Sequence, residues 1–285
     1  MLINGATKIV GLFGDPVEHT LSPSMHNAAF DYLKLNYSYL PFNVKIKELK
    51  KALQALRALG IVGVNLTIPH KIEAIKYVDE LDKQYRLIGA VNTVKCCNGK
   101  LKGYNTDGLG FLQAVKNDCD FNVENKIVLV LGAGGSAKAV AVSLAMNKVK
   151  KIIIANRTYS RARNLALYIR KKLNCNSVAM PLNGKALLGL AANIDLLVNC
   201  TSVGLGKKNI SVVKKDFFKK ALNLKLVYDI VYSDKQTNLI IDAKRSGIKA
   251  FNGMGMLLYQ GAISFEIWTG IKPPLGIMRK ALQKR

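Results

Sequence analysis

The sequence predicts an α/β protein, with an N-terminal αβα domain, a Rossmann-type doubly wound domain after it, and C-terminal helices that return to the first domain. Three observations carry this prediction. Apolar strand-like runs alternate with stretches of helical spacing along all 285 residues. The glycine fingerprint Gly132-Ala133-Gly134-Gly135-Ser136-Ala137 follows directly on the apolar run Ile127 to Leu131. A long apolar helical stretch, Gly253 to Gly270, lies beyond the last strand signal. The expected boundaries are 1–107, 108–242 and 243–285.

Within the first domain, Ile9 to Phe13 reads as a strand that ends at a Gly-Asp-Pro turn. Ser22-Pro23 opens a helix running to about Asn36, with Ser22 as N-cap and proline at the first helical position. Ile46, Leu49, Leu53 and Leu56 recur at helical spacing, and Gly60 stops that second helix. A short strand follows at Ile61 to Leu66, then a helical piece starting at Lys71. Ala90 to Cys96 is extended, and Asn98-Gly99 turns it into a return strand, Lys100 to Tyr104, as a two-residue hairpin.

After Asp107 the pattern becomes repeated strand and helix units. Strands are expected near Lys126 to Leu131, Lys151 to Ala155, Asp195 to Asn199 and Lys225 to Ile230. That spacing belongs to a parallel, doubly wound sheet.

Composition removes several classes of function. The chain is 49% hydrophobic, enough for a full core, and no apolar run is long enough to cross a bilayer. Met1 to Gly14 has no signal-peptide pattern, so a soluble, unprocessed cytoplasmic protein is expected, without a membrane partner. The 5 cysteines show no metal-ligand or redox spacing, so no metal is expected. The net charge of +25 invites a nucleic-acid reading. Against it, the lysines are scattered, as at Lys148, Lys150, Lys151, Lys207, Lys208, Lys214, Lys215, Lys219 and Lys220, with few aromatic residues between them. Solvated basic faces and no nucleic-acid partner are the expectation. A positive field does draw in anionic ligands, which is an effect on rate.

The fingerprint carries the first chemistry. Gly132, Ala133, Gly134, Gly135 and Ser136 sit between a strand and a helix, where glycines allow a tight turn and close approach of a pyrophosphate to the helix N-terminus. At the end of the next strand, an NAD enzyme normally carries a carboxylate for the ribose 2'-hydroxyl. Here the residues are Asn156, Arg157 and Thr158, with Arg161 one turn on. Arginine pairs with a 2'-phosphate, and asparagine and threonine bond it without repulsion, so NADP(H) is the expected cofactor.

The first domain also carries Leu21-Ser22-Pro-Ser24-Met-His26-Asn27, Asn65-Leu-Thr67-Ile-Pro-His70-Lys71, Gly89-Ala-Val-Asn92-Thr93 and Gly103-Tyr-Asn105-Thr-Asp107-Gly108. The second half adds Asn199-Cys-Thr201-Ser202-Val-Gly204, Asp229-Ile-Val-Tyr232 and Gly253-Met-Gly-Met-Leu-Leu-Tyr-Gln260. Together, in this order, these motifs resemble the shikimate dehydrogenase family across essentially the whole chain. The resemblance implies reversible NADPH-dependent reduction of 3-dehydroshikimate to shikimate, a step towards aromatic amino acids, in a monomer or homodimer. It implies Lys71 and Asp107 as the catalytic pair. Ser22, Ser24 and Tyr232 would then hold the substrate carboxylate, and Thr67, Asn92 and Gln260 the ring hydroxyls, beside Lys71 and Asp107. Thr201, Ser202, Ile230 and Gly253 would lie near the nicotinamide.

Two alternatives stay open at this stage. One is a quinate/shikimate dehydrogenase paralogue, which Arg157 and the paired serines argue against. The other is a catalytically silent NADP-binding regulator, which the presence of both Lys71 and Asp107 argues against. A histidine acid ranks below lysine, with His19, His26 and His70 open to a purely structural reading.

Overall fold

The computed structural model describes residues 3–82, 86–204, 210–232 and 235–284, so Lys207 and Lys208 lie outside the described residues. The chain forms two compact units: Met1–Gly110 with Leu257–Arg285, and Phe111–Met256.

In the first unit, β1 (Lys8–Gly14), α1 (Ser22–Tyr32), β2 (Tyr37–Asn43), α2 (Leu49–Ala58) and β3 (Gly63–Leu66) are followed by three further strands. These are β4 (Glu80–Leu81), β5 (Thr93–Cys97) and β6 (Lys100–Tyr104), after which α3 (Asp107–Asn117) leads out of the unit. The six-stranded sheet has the order β2-β1-β3-β5-β6-β4, with β5 antiparallel to β3 and to β6. Asn98 and Gly99 both have positive φ, 50° and 71°, as a two-residue hairpin turn requires.

The periodicity of α2 is explained by its packing. Leu49, Leu53 and Leu56 are fully buried and meet Val64, Leu66, Val94 and Leu101 of the sheet. Truncating any of these leucines to alanine costs about 2–5 kcal/mol.

Three expectations shift in this unit. The first helix ends at Tyr32, not near Asn36, because Lys34 turns the chain with φ 55° and the next residues form β2. Proline at 41 hid that strand, but β2 lies at the sheet edge, where a missing amide hydrogen is tolerated. Lys71 does not begin a helix; it lies in a turn ahead of a single short 3-10 stretch, Glu73–Tyr77.

The second unit contains β7 (Ile127–Leu131), α4 (Gly135–Met146), β8 (Lys151–Asn156), α5 (Tyr159–Leu173), β9 (Ser177–Pro181) and α6 (Gly184–Leu190). It continues with β10 (Leu196–Asn199), α7 (Lys215–Lys220), β11 (Leu226–Asp229), α8 (Asn238–Arg245) and β12 (Lys249–Phe251). Its six strands are all parallel in the order β12-β11-β10-β7-β8-β9. This is the doubly wound arrangement the sequence predicts, with the four central strands β7, β8, β10 and β11 buried on both faces and correspondingly rich in apolar residues. The order reverses between β7 and β10, the switch point where such sheets bind ligands at their carboxyl ends.

The return to the first unit comes at Leu257, later than the expected residue 243. The reason is β12, which pairs with β11 and keeps 243–256 in the second unit. Then α9 (Met254–Thr269) and α10 (Leu275–Gln283) complete the chain. In the first unit α9 is keyed to the sheet by Trp268, whose Nε1 donates to Val94 O at 3.0 Å. Gly63 makes room for that contact, since a Cβ there would collide with Val94 O and the Trp268 ring.

Candidate active site

The parallel strands β1 and β3 end beside the start of β5 and the end of β6, because β5 and β6 run antiparallel in turn. One edge of the sheet therefore collects the residues after β3, before β5 and after β6. Thr67 N donates to Phe13 O at 3.0 Å and Asp15 N to Ile68 O at 3.0 Å, tying the β1 and β3 ends together. His70 N closes a turn on Thr67 O, and Val91 N donates to Lys71 O at 2.7 Å. Both termini of the Lys71 turn are thus fixed by backbone bonds.

From that turn the Lys71 ammonium reaches Asp107 Oδ2 at 2.6 Å, with the two side chains 14% and 5% exposed. Asp107 is the first residue of α3, and its amide donates to Asn105 Oδ1 at 3.1 Å. Asn105 in turn donates to Ala90 O at 2.8 Å, anchoring the loop to the segment ahead of β5. The other carboxylate oxygen, Oδ1, accepts from Asn92 Nδ2 at 2.9 Å. Asn92 Nδ2 also faces Gln260 Oε1 at 3.3 Å, and Gln260 Nε2 donates back to Leu257 O at 3.0 Å on its own helix. The structure therefore brings Lys71, Asn92, Asp107 and Gln260 into one hydrogen-bonded cluster.

Ser22 and Ser24 begin α1, on the chain that leaves the carboxyl end of β1. The expectation that Ser22 caps this helix is corrected. Leu21 occupies the cap position and no side chain bonds there, while Thr20 Oγ1 accepts from the Ser22 amide at 3.3 Å. The Ser22 hydroxyl, buried but without a hydrogen bond among the described residues, is left available to a ligand, and Ser24 is exposed. Thr67 is half-buried, and its methyl group needs Gly14, where a Cβ would clash with it.

Two of the three histidines, His26 and His70, have structural explanations, and His19 is exposed. His26 is fully buried, stacks on Tyr39 at 4.5 Å between ring centroids, and finds no hydrogen bond for either ring nitrogen. Burial lowers its pKa to about 3, so it is neutral. His70 Nε2 lies 2.8 Å from Val44 O, which only accepts, so the proton sits on Nε2. Burial lowers the His70 pKa as well, against the opposing pull of that bond and of Asp15.

In the second unit, Gly132 ends β7 with φ 110°, and a Cβ there would lie 3.0 Å from Cys200 O. Gly134 is the N-cap of α4, with nothing within 4 Å of a would-be Cβ. Ala133 is buried behind this turn, and Gly135 and Ser136 begin the helix. Such a bare, open helix start at the switch point fits a pyrophosphate.

Asn156 ends β8, and its Nδ2 donates to Thr158 O at 2.9 Å, shaping the turn into α5. Arg157 and Arg161 are exposed beside it, with no carboxylate at the strand end. A phosphate-bearing ribose fits this donor set, and a bare 2'-hydroxyl finds no acceptor side chain of the usual kind.

Between β10 and β11 a buried network fixes two loops. Asp229 accepts from Asn199 Nδ2 at 2.8 Å, Val231 N at 3.1 Å and Thr237 Oγ1 at 2.6 Å. Burial nonetheless raises its pKa, outweighing the three donors. Thr201 Oγ1 donates to Asn199 Oδ1 at 2.7 Å, so the Thr201–Ser202 turn is held by the same asparagine. Ile230 N donates to Asn199 O at 3.0 Å, and Gly253 packs against Ile230 so closely that a Cβ would overlap its carbonyl. Tyr232 follows β11 and is half-buried in this second unit.

Comparison with known proteins fits this geometry to a family. The family model for the shikimate dehydrogenase substrate binding domain matches residues 12–94, that for shikimate / quinate 5-dehydrogenase 113–231, and that for the shikimate 5'-dehydrogenase C-terminal domain 253–283. Shikimate dehydrogenase (NADP(+)) of Methanocaldococcus jannaschii is 45% identical over 281 residues, covering 99% of this chain and 98% of that protein. The chain belongs to the shikimate dehydrogenase family. Among solved structures, a shikimate dehydrogenase in complex with NADP+ superposes with a TM-score of 0.88 at 42% identity, over 99% of this chain and 96% of that one. The Listeria monocytogenes shikimate 5-dehydrogenase in complex with shikimate and NAD has a TM-score of 0.87 at 36% identity, over 98% of each chain.

Family motifs found Asn65, Thr93 and Thr106 only as flanking residues, and Tyr39 and Ser264 not at all. All five side chains are buried against the Asn92–Asp107 cluster or one bond behind it. A polar residue one helical turn after Gln260, on a helix that is mostly apolar, was the available signal for Ser264.

Proposed function

We propose that this chain is an NADP-dependent shikimate dehydrogenase that reversibly reduces 3-dehydroshikimate to shikimate, a step towards aromatic amino acids. The observation that carries the reading is the Lys71–Asp107 contact of 2.6 Å, with Asn92 on the second carboxylate oxygen.

When bound, NADPH supplies the hydride that adds to the ring ketone carbon. Negative charge then builds on the ketone oxygen, and the Lys71 ammonium stabilises it and gives it a proton. Asp107 holds the ammonium in place, and in the reverse direction the pair receives the hydroxyl proton as one coupled unit. Ser22 and Ser24 address the substrate carboxylate, with Tyr232 as a further donor. Thr67, Asn92 and Gln260 address the ring hydroxyls, two of them already oriented by their mutual bond of 3.3 Å. A small polyhydroxylated acid needs this kind of neutral donor and acceptor set.

On the cofactor side, Gly132, Ala133, Gly134, Gly135 and Ser136 receive the pyrophosphate. Asn156, Arg157, Thr158 and Arg161 bind the 2'-phosphate. Thr201, Ser202, Ile230 and Gly253 shape the nicotinamide end. In this assignment the unit of 1–110 and 257–285 binds substrate and the unit of 111–256 binds cofactor. Among the described residues no helix is long and apolar enough to cross a membrane. We place the enzyme in the cytoplasm, as a monomer or homodimer.

The test is absorbance at the reduced-nicotinamide band with purified protein, shikimate or quinate, and NADP or NAD. Shikimate-dependent reduction of NADP is expected. Absence of turnover with every pair returns the silent cofactor-binding reading, and equal efficiency with quinate or NAD returns the quinate/shikimate paralogue.

A further inference from the structure

Behind the Lys71–Asp107 pair lies a layer of buried polar side chains to which the reaction as written gives no task. Asn92 can serve Asp107 only in one amide orientation. Its Oδ1 accepts the Thr106 amide at 2.7 Å and Thr93 Oγ1 at 3.1 Å, which turns Nδ2 towards Asp107 Oδ1 and Gln260 Oε1. A flipped Asn92 would set its carbonyl oxygen against a carboxylate and leave the Thr106 amide without an acceptor.

What holds Thr93 and Thr106 is a second asparagine and a serine. Asn65 Oδ1 accepts from Tyr39 OH at 2.9 Å, and this bond fixes its Nδ2 towards Thr93 Oγ1 at 3.0 Å and Ser264 Oγ at 3.0 Å. Ser264 Oγ then contacts Thr93 Oγ1 at 2.8 Å and Thr106 Oγ1 at 3.2 Å, and donates to Gln260 O at 3.0 Å. Tyr39, Thr93, Thr106 and Ser264 are at most 0% exposed and Asn65 is 5% exposed, so water does not compete for these bonds. In such a setting an unmade bond is costly, and polar groups reinforce one another's orientation.

We propose that Tyr39, Asn65 and Ser264 are positioning residues, which through Thr93 and Thr106 lock the Asn92 amide in the orientation that presents Nδ2 to Asp107. The hydroxyl of Ser264 makes α9 part of this lock, so the helix that carries Gln260 also sets the orientation of Asn92. The inference rests on the proposed dehydrogenase reading, since it assigns these residues to the Asp107 centre of that reaction.

The test compares wild type with Tyr39→Phe, Ser264→Ala, the double variant and Ser264→Thr. Each is assayed for shikimate oxidation by NADP, for shikimate affinity by calorimetry without cofactor, and for melting temperature. Tyr39→Phe removes one oxygen from a stacked ring and keeps its shape, so it reads the lock even where Ser264→Ala loosens packing. The expected result is a roughly tenfold fall in kcat for each single variant, the size of one lost orienting hydrogen bond. Shikimate affinity should fall too, because Asn92 also addresses a ring hydroxyl, but by clearly less than kcat, since the orientation of Asp107 matters most in the transition state. The double variant should fall no further than the worse single, because both substitutions release the same asparagine. Ser264→Thr, which keeps the hydroxyl, should recover most of the loss.

Wild-type kcat in Tyr39→Phe and Ser264→Ala overturns the inference while leaving the dehydrogenase reading intact. Losses that add in the double variant, or that follow melting temperature across all four, also overturn it. A wild-type protein without shikimate turnover overturns the dehydrogenase reading and this inference with it.

Discussion

Lys71 Nζ lies 2.6 Å from Asp107 Oδ2, and both side chains are largely withdrawn from water. At that distance, and with Asn92 on the other carboxylate oxygen, Asp107 has little freedom except to hold the ammonium where it is. An ion pair kept solely for stability gains little over an apolar replacement in a desolvated setting. Its placement beside Asn92, whose amide also faces Gln260, is better explained by proton transfer. Lys71→Ala is expected to lower kcat about 10²–10⁴-fold, the usual worth of a positioned acid, with a smaller change in shikimate affinity. Steady-state rates beside calorimetric binding check this, and near-wild-type kcat refutes it.

In the proposed reading, cofactor choice rests on the β8–α5 turn. Arg157 and Arg161 are exposed there, and Asn156 occupies the strand end where a carboxylate would read a free 2'-hydroxyl. A charge-assisted contact with phosphate is worth about 1.5–3 kcal/mol, so Arg157→Ala should raise KM for NADP about 10- to 100-fold. KM for NAD, which lacks the phosphate, should move little. Parallel increases for both cofactors would mean that Arg157 supports the turn and does not read the phosphate.

The sequence disclosed these site residues unevenly, and the reasons are physical. β7, α4 and the glycine turn were legible because an apolar strand, a glycine with positive φ and a helix are contiguous in the chain. The Asn98-Gly99 hairpin was legible for the same reason. Pro41 concealed β2, Ser177 and Pro181 deprived β9 of a continuous apolar run, and β12 has only three residues. Ser22 was misread as a cap because the local Thr20 hydroxyl, not Ser22, meets an amide at that helix start. The layer behind Asn92 was invisible for another reason. Asn65 and Ser264 are 199 positions apart, and no pattern along the chain announces a bond made by folding.

In the proposed reading, the glycines of the second unit make a separable prediction. Gly132 has φ 110° and sits 3.0 Å, at its would-be Cβ, from Cys200 O; Gly253 would overlap Ile230 O. Alanine at Gly132 meets backbone strain of about 1–2 kcal/mol and must push the β10 end away from the turn that the proposal gives to the pyrophosphate. Gly132→Ala should therefore weaken NADP binding at least tenfold by fluorescence titration, and shikimate affinity should be unchanged. Weakening of both would show that the substitution disturbs more than the cofactor turn.

The last prediction concerns acid. His26 is fully buried among Tyr39, Phe30, Phe265 and Trp268, with neither ring nitrogen paired, and burial lowers its pKa from 6.5 to about 3. Between those values the unfolded chain binds a proton that the folded chain refuses, so stability increases with pH across the window. The contribution is complete above pH 6.5 and is lost as pH falls towards 3. At about 1.4 kcal/mol per unit, the loss by pH 4 is on the order of 3 kcal/mol. His26→Leu has similar volume and no titrating group, so its melting temperature should fall less steeply from pH 7 to pH 4 than that of wild type. The carboxylates titrate in both proteins, which makes the difference between the two slopes the signature of His26. Equal slopes would mean that the folded protein opens to hydrate this ring before it becomes charged.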